Sequence, residues 1–362
     1  MKKTIFLSIV SVGMFFAFAC NTTTTDTVLA VSDPSGHVKT KFKVDWSIYV
    51  GWNPWHYAQA SNILSKWAKK YGIEIELQRM AYIPSIEAYN AAKCDACVMT
   101  NMDMLTMPIN SGINSTVIIV GDYSNGNDAI ITKDATITNL SQIKKIYGVQ
   151  YSVSHYLLNR AEDKNKIVND AIQVVNVSED DITNMFSNDA NTKNIVTWNP
   201  FVMNCMKVKG AKMLFNSSQI PGEILDLMTV NTDILEKNPD FAKALVGAWY
   251  EVMDVMSKKD AKSESAINIM AAVGESSVVE FNNQLATTAL FYTPQSAIDF
   301  SMKPEFGTSM KLVEDFCIKY DLLKGSSDIG IQLPNEQILG NKEKIKLKFD
   351  MSFTKAAAAG KL

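Results

Sequence analysis

A chain of 362 residues, 47% of them apolar, is long enough for two ordinary domains with substantial cores. Its formal charge of -3 and pI of about 5.8 lack the basic footprint of a nucleic-acid binder, so no nucleic acid is expected as a partner. Lysine carries nearly all the positive charge, since Arg79 and Arg160 are the only arginines.

Lys2 and Lys3 precede an apolar run over residues 5–19 that ends in small residues, the layout of an export signal. The run is shorter than the roughly 20 residues a spanning helix needs, and no later apolar stretch is long enough. Residues 1–30 are read as signal peptide and tether, which places the mature protein in the periplasm or another extracytoplasmic space. Three processing routes stay open: cleavage after Ala19, cleavage after Ala30, or lipidation of Cys20. Only the third would attach the chain to a membrane, through its N-terminus, with residues 21–26 as a flexible leash.

Strands and helices then alternate. Residues 42–50 read as a strand and 55–71 as a helix, with Ile63, Leu64, Trp67, Ala68 and Tyr71 at three- and four-residue spacing and Gly72 as its stop. A strand over 73–80 alternates Ile73, Ile75 and Leu77 with Glu74, Glu76 and Gln78. A helix over 84–93, a strand over 95–100 and a helix over 102–111 follow, then strands over 115–120 and 129–132. Cys94 and Cys97 form a C-x-x-C where a helix gives way to a strand. A redox motif would open a helix after a strand, so buried structural thiols are expected here. Cys205 and Cys317 sit at helical spacing among apolar residues and read as core.

A second series gives strands over 147–151, 172–177, 194–198 and 211–215, with helices over 154–164 and 180–186 and another from Asn199-Pro200. A strand over 225–231 leads out of it. Helices over 239–258, 263–273, 277–290 and 306–323 complete the regular pattern, and the tail beyond Gly325 is left unplaced. Repeated strand–helix–strand units predict an α/β fold of two lobes, with mainly parallel sheets and two hinge crossings around 121–134 and 216–230. The expected division is 40–123 and 226–325 for lobe I, 124–225 for lobe II, and 326–362 as a C-terminal extension.

Ligands of open α/β sheets bind beyond the carboxyl ends of the strands. Those ends carry Trp52 and Trp55, Asn101 and Asp103, Asp122, Ser154 and His155, and Trp198 and Asn199, with Glu223 and Asp226 on the return crossing. Four carboxylates and several indoles, with no lysine or arginine at the expected cleft, suit a cation or a donor-rich guest. An anion would need basic side chains or free helix N-termini. Asp103 also fits a plain helix cap, and Asp122, Glu223 and Asp226 fit a hinge or rim. Catalytic templates fail: there is no H-E-x-x-H, G-x-S-x-G or P-loop, and His56 and His155 lack a motif partner. Neither an enzyme nor a bound cofactor or metal is expected.

The stretches WSIYVGWNPW (46–55), CVMTNMDMLTMP (97–108), VGDYSNGNDAI (120–130), SVSHYLL (152–158), VTWNP (196–200) and SSQIPGEILDLMTVNTDIL (217–235) resemble the periplasmic substrate-binding proteins of nitrate/sulfonate/taurine-type ABC importers. The closest likeness is to the branch associated with urea carboxylase. Cys94 and the lysine-rich surface depart from the family pattern without touching the expected site. The resemblance implies a type II two-lobe fold whose lobes close on the ligand about a hinge. It also implies a monomer that delivers a urea- or guanidinium-like nitrogen compound to a permease in the inner membrane. Trp52, Trp55, Asn101, Asp103, Asp122, Ser154, His155, Trp198, Asn199 and Glu223 are the implied ligand contacts. The alternatives are a binder of nitrate, sulfonate or taurine-like anions, and an enzyme similar to the thiamine-pyrimidine synthase of the same fold. An extracytoplasmic sensor with the same cleft is a third reading.

Overall fold

The computed structural model describes residues 39–323 and 328–362; the export segment, both cleavage sites and Cys20 lie outside them. The chain builds β1 (Lys41–Trp46), β2 (Glu74–Arg79), β3 (Ala96–Thr100) and β4 (Ser115–Tyr123), then β5 (Asp128–Thr132), β6 (Lys145–Gly148), β7 (Gln173–Asn176), β8 (Asn194–Trp198) and β9 (Lys212–Asn216). It continues with β10 (Leu225–Asn231) and, after a helical block, β11 (Gly330–Gln332), β12 (Ile338–Gly340) and β13 (Ile345–Phe349).

Two sheets result. The larger has the order β12-β11-β13-β4-β10-β3-β1-β2 and the smaller β7-β6-β8-β5-β9. Both are mixed. β1, β2 and β3 pair in parallel, as do β6, β7 and β8. The strands that follow each change of lobe, β5 and β10, run antiparallel to both neighbours. The chain therefore passes between lobes at residues 124–127 and again at 217–224.

Local chemistry explains these elements. β1 alternates because Phe42, Val44 and Trp46 face the core. It stops at Trp46, before the expected end at residue 50, because the Tyr49 carbonyl accepts the N–H groups of Trp52 and Asn53 at 2.8 and 2.9 Å and turns the chain. The helix expected over 55–71 is two helices, Asn53–Ala60 and Ile63–Lys70, separated by Asn62 at φ 61°, a left-handed conformation that breaks helical bonding. Helix Pro239–Ser257 buries the stripe Phe241, Leu245, Trp249, Val252 and Met256. Its Gly247 allows the crossing, since a Cβ there would sit 2.4 Å from the Trp67 ring. Two further helices, Thr232–Lys237 and Pro294–Ser301, are capped by the side chains of Asn231 and Thr293.

The tail that the sequence pattern left unplaced completes the larger sheet. β13 lies parallel to β4, with Leu347 opposite Ser115 and Phe349 opposite Val117. Helix Ser352–Ala358 packs behind it, where Thr354 Oγ1 donates to the Ile118 carbonyl at 3.4 Å. No helix among the described residues is long and apolar enough to cross a membrane.

Candidate functional site

A cavity of about 570 Å³ lies between the lobes. Its wall on the larger lobe comes from the turn after β1, the segment after β2 and the crossing strand β10; the smaller lobe supplies the starts of β5 and of helix Glu179–Asn188 and the segment after β8.

Aromatic rings form a continuous wall. Trp52 packs edge-on to Tyr49 at 5.1 Å and tilted against Tyr82 at 5.2 Å. Tyr82 meets Trp198 of the other lobe at 6.5 Å, and Trp198 meets Phe201 at 5.8 Å. The turn that presents Trp52 needs a glycine before it: a Cβ on Gly51 would stand 2.4 Å from Asp122 Oδ2. Tyr82 is held by its hydroxyl, which donates to Asp103 Oδ2 at 2.6 Å and accepts the Thr100 N–H at 3.0 Å.

Carboxyl groups lie at the inner end. Asp128 opens β5, with Oδ2 accepting from Ser124 Oγ at 2.5 Å, and burial pushes it up to about 7. Asp226 lines the cavity and stands directly opposite Asp122 in the β4–β10 ladder. Neither oxygen of Asp122, nor Oδ2 of Asp226, has a hydrogen-bond donor from another residue type. Burial raises both carboxyls above their ordinary range, and for Asp226 the charge of Asp122 adds to it. A proton on Asp226 would let one of its oxygens donate to Asp122 and would leave the other Asp122 oxygen without a partner. Ser47 Oγ and Trp52 Nε1 are further buried polar atoms on this wall without partners.

Basic groups are present after all: Arg79 and Lys207 line the cavity. Both are exposed, and Lys207 donates across the lobes to Glu280 at 2.7 Å, pulling that carboxyl down to about 2. Glu280→Gln is expected to speed ligand release no more than a few-fold, because an exposed pair contributes little. Stopped-flow dissociation measures this; a change beyond about tenfold would make the pair the principal latch.

Of the residues named from sequence, Trp52 and Trp198 line the cavity and the other eight do not. Trp55 lies beneath the wall against Trp249 at 5.1 Å. Asn101 pins the return crossing, donating from Nδ2 to the Glu223 carbonyl at 3.0 Å and accepting the Leu225 N–H at 3.1 Å. Asp103 accepts from Tyr82 and, at 2.8 Å, from Thr100 Oγ1. Asp122 sits behind Asp226. Ser154 is buried in the first turn of helix Val153–Lys164. His155 is packed among Tyr151, Phe316 and Tyr320, and burial lowers it to about 4, so it is neutral at pH 7. Asn199 donates to Asn127 Oδ1 at 2.9 Å and accepts the Met203 N–H at 3.1 Å. Glu223 pairs with Arg160 through Nε at 2.7 Å and Nη2 at 3.1 Å.

Asp103→Asn is therefore expected to cost about 1–2 kcal/mol of stability by weakening a charge-assisted bond to Tyr82. Ligand affinity should change only a few-fold, through Tyr82. Thermal unfolding beside a titration separates the two effects; a hundredfold loss of affinity at unchanged stability would return Asp103 to direct contact.

The residues that sequence reasoning missed are Ser47, Tyr49, Tyr82, Asp128 and Phe201. Tyr82 follows the carboxyl end of β2, so its position beyond a strand end is the signal that marks it. Asp226 was legible on the return crossing.

No protein-family model matches the chain, and no curated protein matches it. Solved structures do. The alkanesulfonate-binding protein of Xanthomonas axonopodis pv. citri bound to MOPS has a TM-score of 0.64 at 13% identity, covering 80% of this chain and 96% of that one. The periplasmic aliphatic sulphonate binding protein of Escherichia coli has a TM-score of 0.65 at 15% identity, covering 83% and 97%. A ligand-binding component of an ABC-type import system from Staphylococcus aureus has a TM-score of 0.65 at 14% identity, covering 88% and 99%. At such identities the likeness establishes the fold, that of two-lobe periplasmic binding proteins.

Proposed function

We propose that this chain is an extracytoplasmic, non-enzymatic solute-binding protein. It captures a small urea- or guanidinium-like nitrogen compound between its lobes and delivers it, as a monomer, to an ABC permease in the inner membrane. Lipidation of Cys20 would keep it close to that permease. The fold likeness covers nearly the full length of three binding proteins, one of them described as a component of an ABC-type import system, which supports the transport role. The ligand class rests on one observation: the inner end of the cleft combines aromatic faces with Asp128 and Asp226, and no basic side chain among the described residues is bonded to either.

Anion binding is the second reading, favoured by Arg79 and Lys207 on the wall and by the sulfonates named for two neighbours. It is the weaker one. Both basic groups are exposed, Lys207 is already paired, and an anion seated deeper would face the carboxyls. Catalysis by a cysteine-bound metal has less support still. Cys94, Cys97, Cys205 and Cys317 are buried outside the cavity wall, and burial pushes the thiols up, Cys205 to about 11 and Cys97 to about 12.

Thermal shift with a panel tests the assignment. A ligand at a hundred times its Kd stabilises the native state by about 2.7 kcal/mol, a rise of several degrees in Tm. Guanidinium, methylguanidinium, methylammonium and urea form one arm; nitrate, taurine and ethanesulfonate form the other. The rise is expected in the first arm, and a rise confined to the second overturns the ligand class.

A further inference from the structure

Three aspartates of the two lobe crossings meet at the inner end of the cleft, each at least nine-tenths buried: Asp122 at 0%, Asp128 at 3% and Asp226 at 4% exposure. Asp122 is the last residue but one of β4 before the first crossing, Asp128 starts β5 after it, and Asp226 is the second residue of β10 after the second crossing. The groups facing them are neutral or acidic. The Tyr49 hydroxyl partly offsets the rise of Asp226, the charge of Asp122 reaches Tyr292, and Asp103 adds a distant negative charge to Asp128. Ser124 bonds Asp128, and no lysine or arginine among the described residues bonds any of the three. The charged groups elsewhere on the cavity wall, such as Arg79, Glu179, Lys207 and Glu280, belong to other elements.

Two like charges directly opposite in a ladder and away from water cannot both persist without a counter-charge, so in the absence of a cation the cluster carries at least one proton. The same wall carries Asp226 Oδ2 with no donor, and Ser47 Oγ and Trp52 Nε1 with no acceptor. A guest that satisfies all three carries N–H groups for the carboxylate and a lone pair or π face for the two donors.

Resting on the solute-binding reading above, we propose that the cleft selects an organic monocation over a neutral amide, and that capture exchanges the cation for a proton of the Asp122–Asp226 pair. The O–H bond of Asp226 breaks, its proton leaves to solvent, and an N–H···O bond to the incoming cation replaces it. One positive charge enters and one leaves, so the buried cluster keeps its net charge. Acidification therefore favours release: burial and the charge of Asp122 hold the Asp226 carboxyl well above the ordinary carboxylate range, and wherever it is protonated, affinity falls by up to tenfold for each pH unit lost, because protons compete for the same oxygens.

Titration calorimetry of the mature protein with guanidinium at pH 6.5 tests this. The measurement is made in two buffers of different ionisation enthalpy and repeated with methylammonium, urea and ethanesulfonate. The expected result is a heat that differs between buffers by about one proton released per guanidinium bound, with urea at least tenfold weaker. Asp226→Asn should lose the proton release and bind guanidinium at least tenfold more weakly. Asp128→Asn serves as a second variant if that one fails to fold. Cation binding with identical heats in the two buffers, or urea binding as tightly as guanidinium, overturns the exchange and leaves the solute-binding reading standing. Binding of ethanesulfonate alone, or of no probe at millimolar concentration, overturns the exchange together with the nitrogen-compound assignment.

Discussion

Glu223→Ala is expected to lower the free energy of unfolding by about 3–5 kcal/mol, the range for breaking a buried ion pair from one side. The Glu223 side chain is 9% exposed and that of Arg160 12%. Glu223 Oε2 accepts from Arg160 Nε at 2.7 Å and from the Tyr156 hydroxyl at 2.6 Å, while Oε1 accepts from Arg160 Nη2 at 3.1 Å. Its removal leaves the guanidinium with only the half-exposed Asp163 at 2.7 Å and strips the Tyr156 hydroxyl of its acceptor. The cost falls at a joint, because Arg160 and Tyr156 belong to helix Val153–Lys164 of the smaller lobe and Glu223 to the return crossing. Glu223→Gln keeps the shape and one acceptor and should lose less than half as much. Heat is the right perturbant, since urea and guanidinium are candidate ligands. A Tm drop of roughly 5–15 °C is expected; a drop under about 2 °C would mean that water already screens the pair.

Trp198→Ala is expected to weaken ligand capture about ten- to thirtyfold with little change in Tm. Trp198 is half-buried, and it faces Tyr82 of the larger lobe at 6.5 Å. A cation held against a desolvated indole gains about 2 kcal/mol or more. The same ring also contributes to closing the lobes over the guest. Trp198→Phe retains a face and should recover most of the affinity. Trp52 is a poorer probe, since it is fully buried and its loss would open the core as well. If Trp198→Ala bound as well as the unaltered protein, the aromatic wall would be packing only.

The rhythm of strands and helices was legible because burial is periodic: Phe42, Val44 and Trp46 point inward from β1, and Phe241, Leu245, Trp249, Val252 and Met256 line one helix face. Both crossings were legible too, since the chain changes lobe at 124–127 and 217–224, within the segments 121–134 and 216–230 where one strand–helix series gives way to the next. The site was legible only in part. Reading strand ends finds the right level of the sheet but not the direction a side chain takes from it. Asp103 turns back onto Thr100 and Tyr82, and His155 turns toward helix Pro304–Lys319, which no local pattern reveals. The meeting of Asp122 with Asp226 depends on the register between β4 and β10, strands about a hundred residues apart. β11 and β12 have three residues each and β13 alternates Lys346 and Lys348 with apolar residues; they become strands because β13 pairs with β4, β11 with β13 and β12 with β11.

Tryptophan emission reports most directly on the cleft, because Trp52 and Trp198 stand on its wall while Trp46, Trp55 and Trp249 are buried outside it. A titration with guanidinium or a related nitrogen cation should give a saturable change that is reduced in Trp198→Phe, while nitrate, taurine and ethanesulfonate leave the emission as it was. A saturable response to those anions alone would contradict a guest held by indoles and carboxylates.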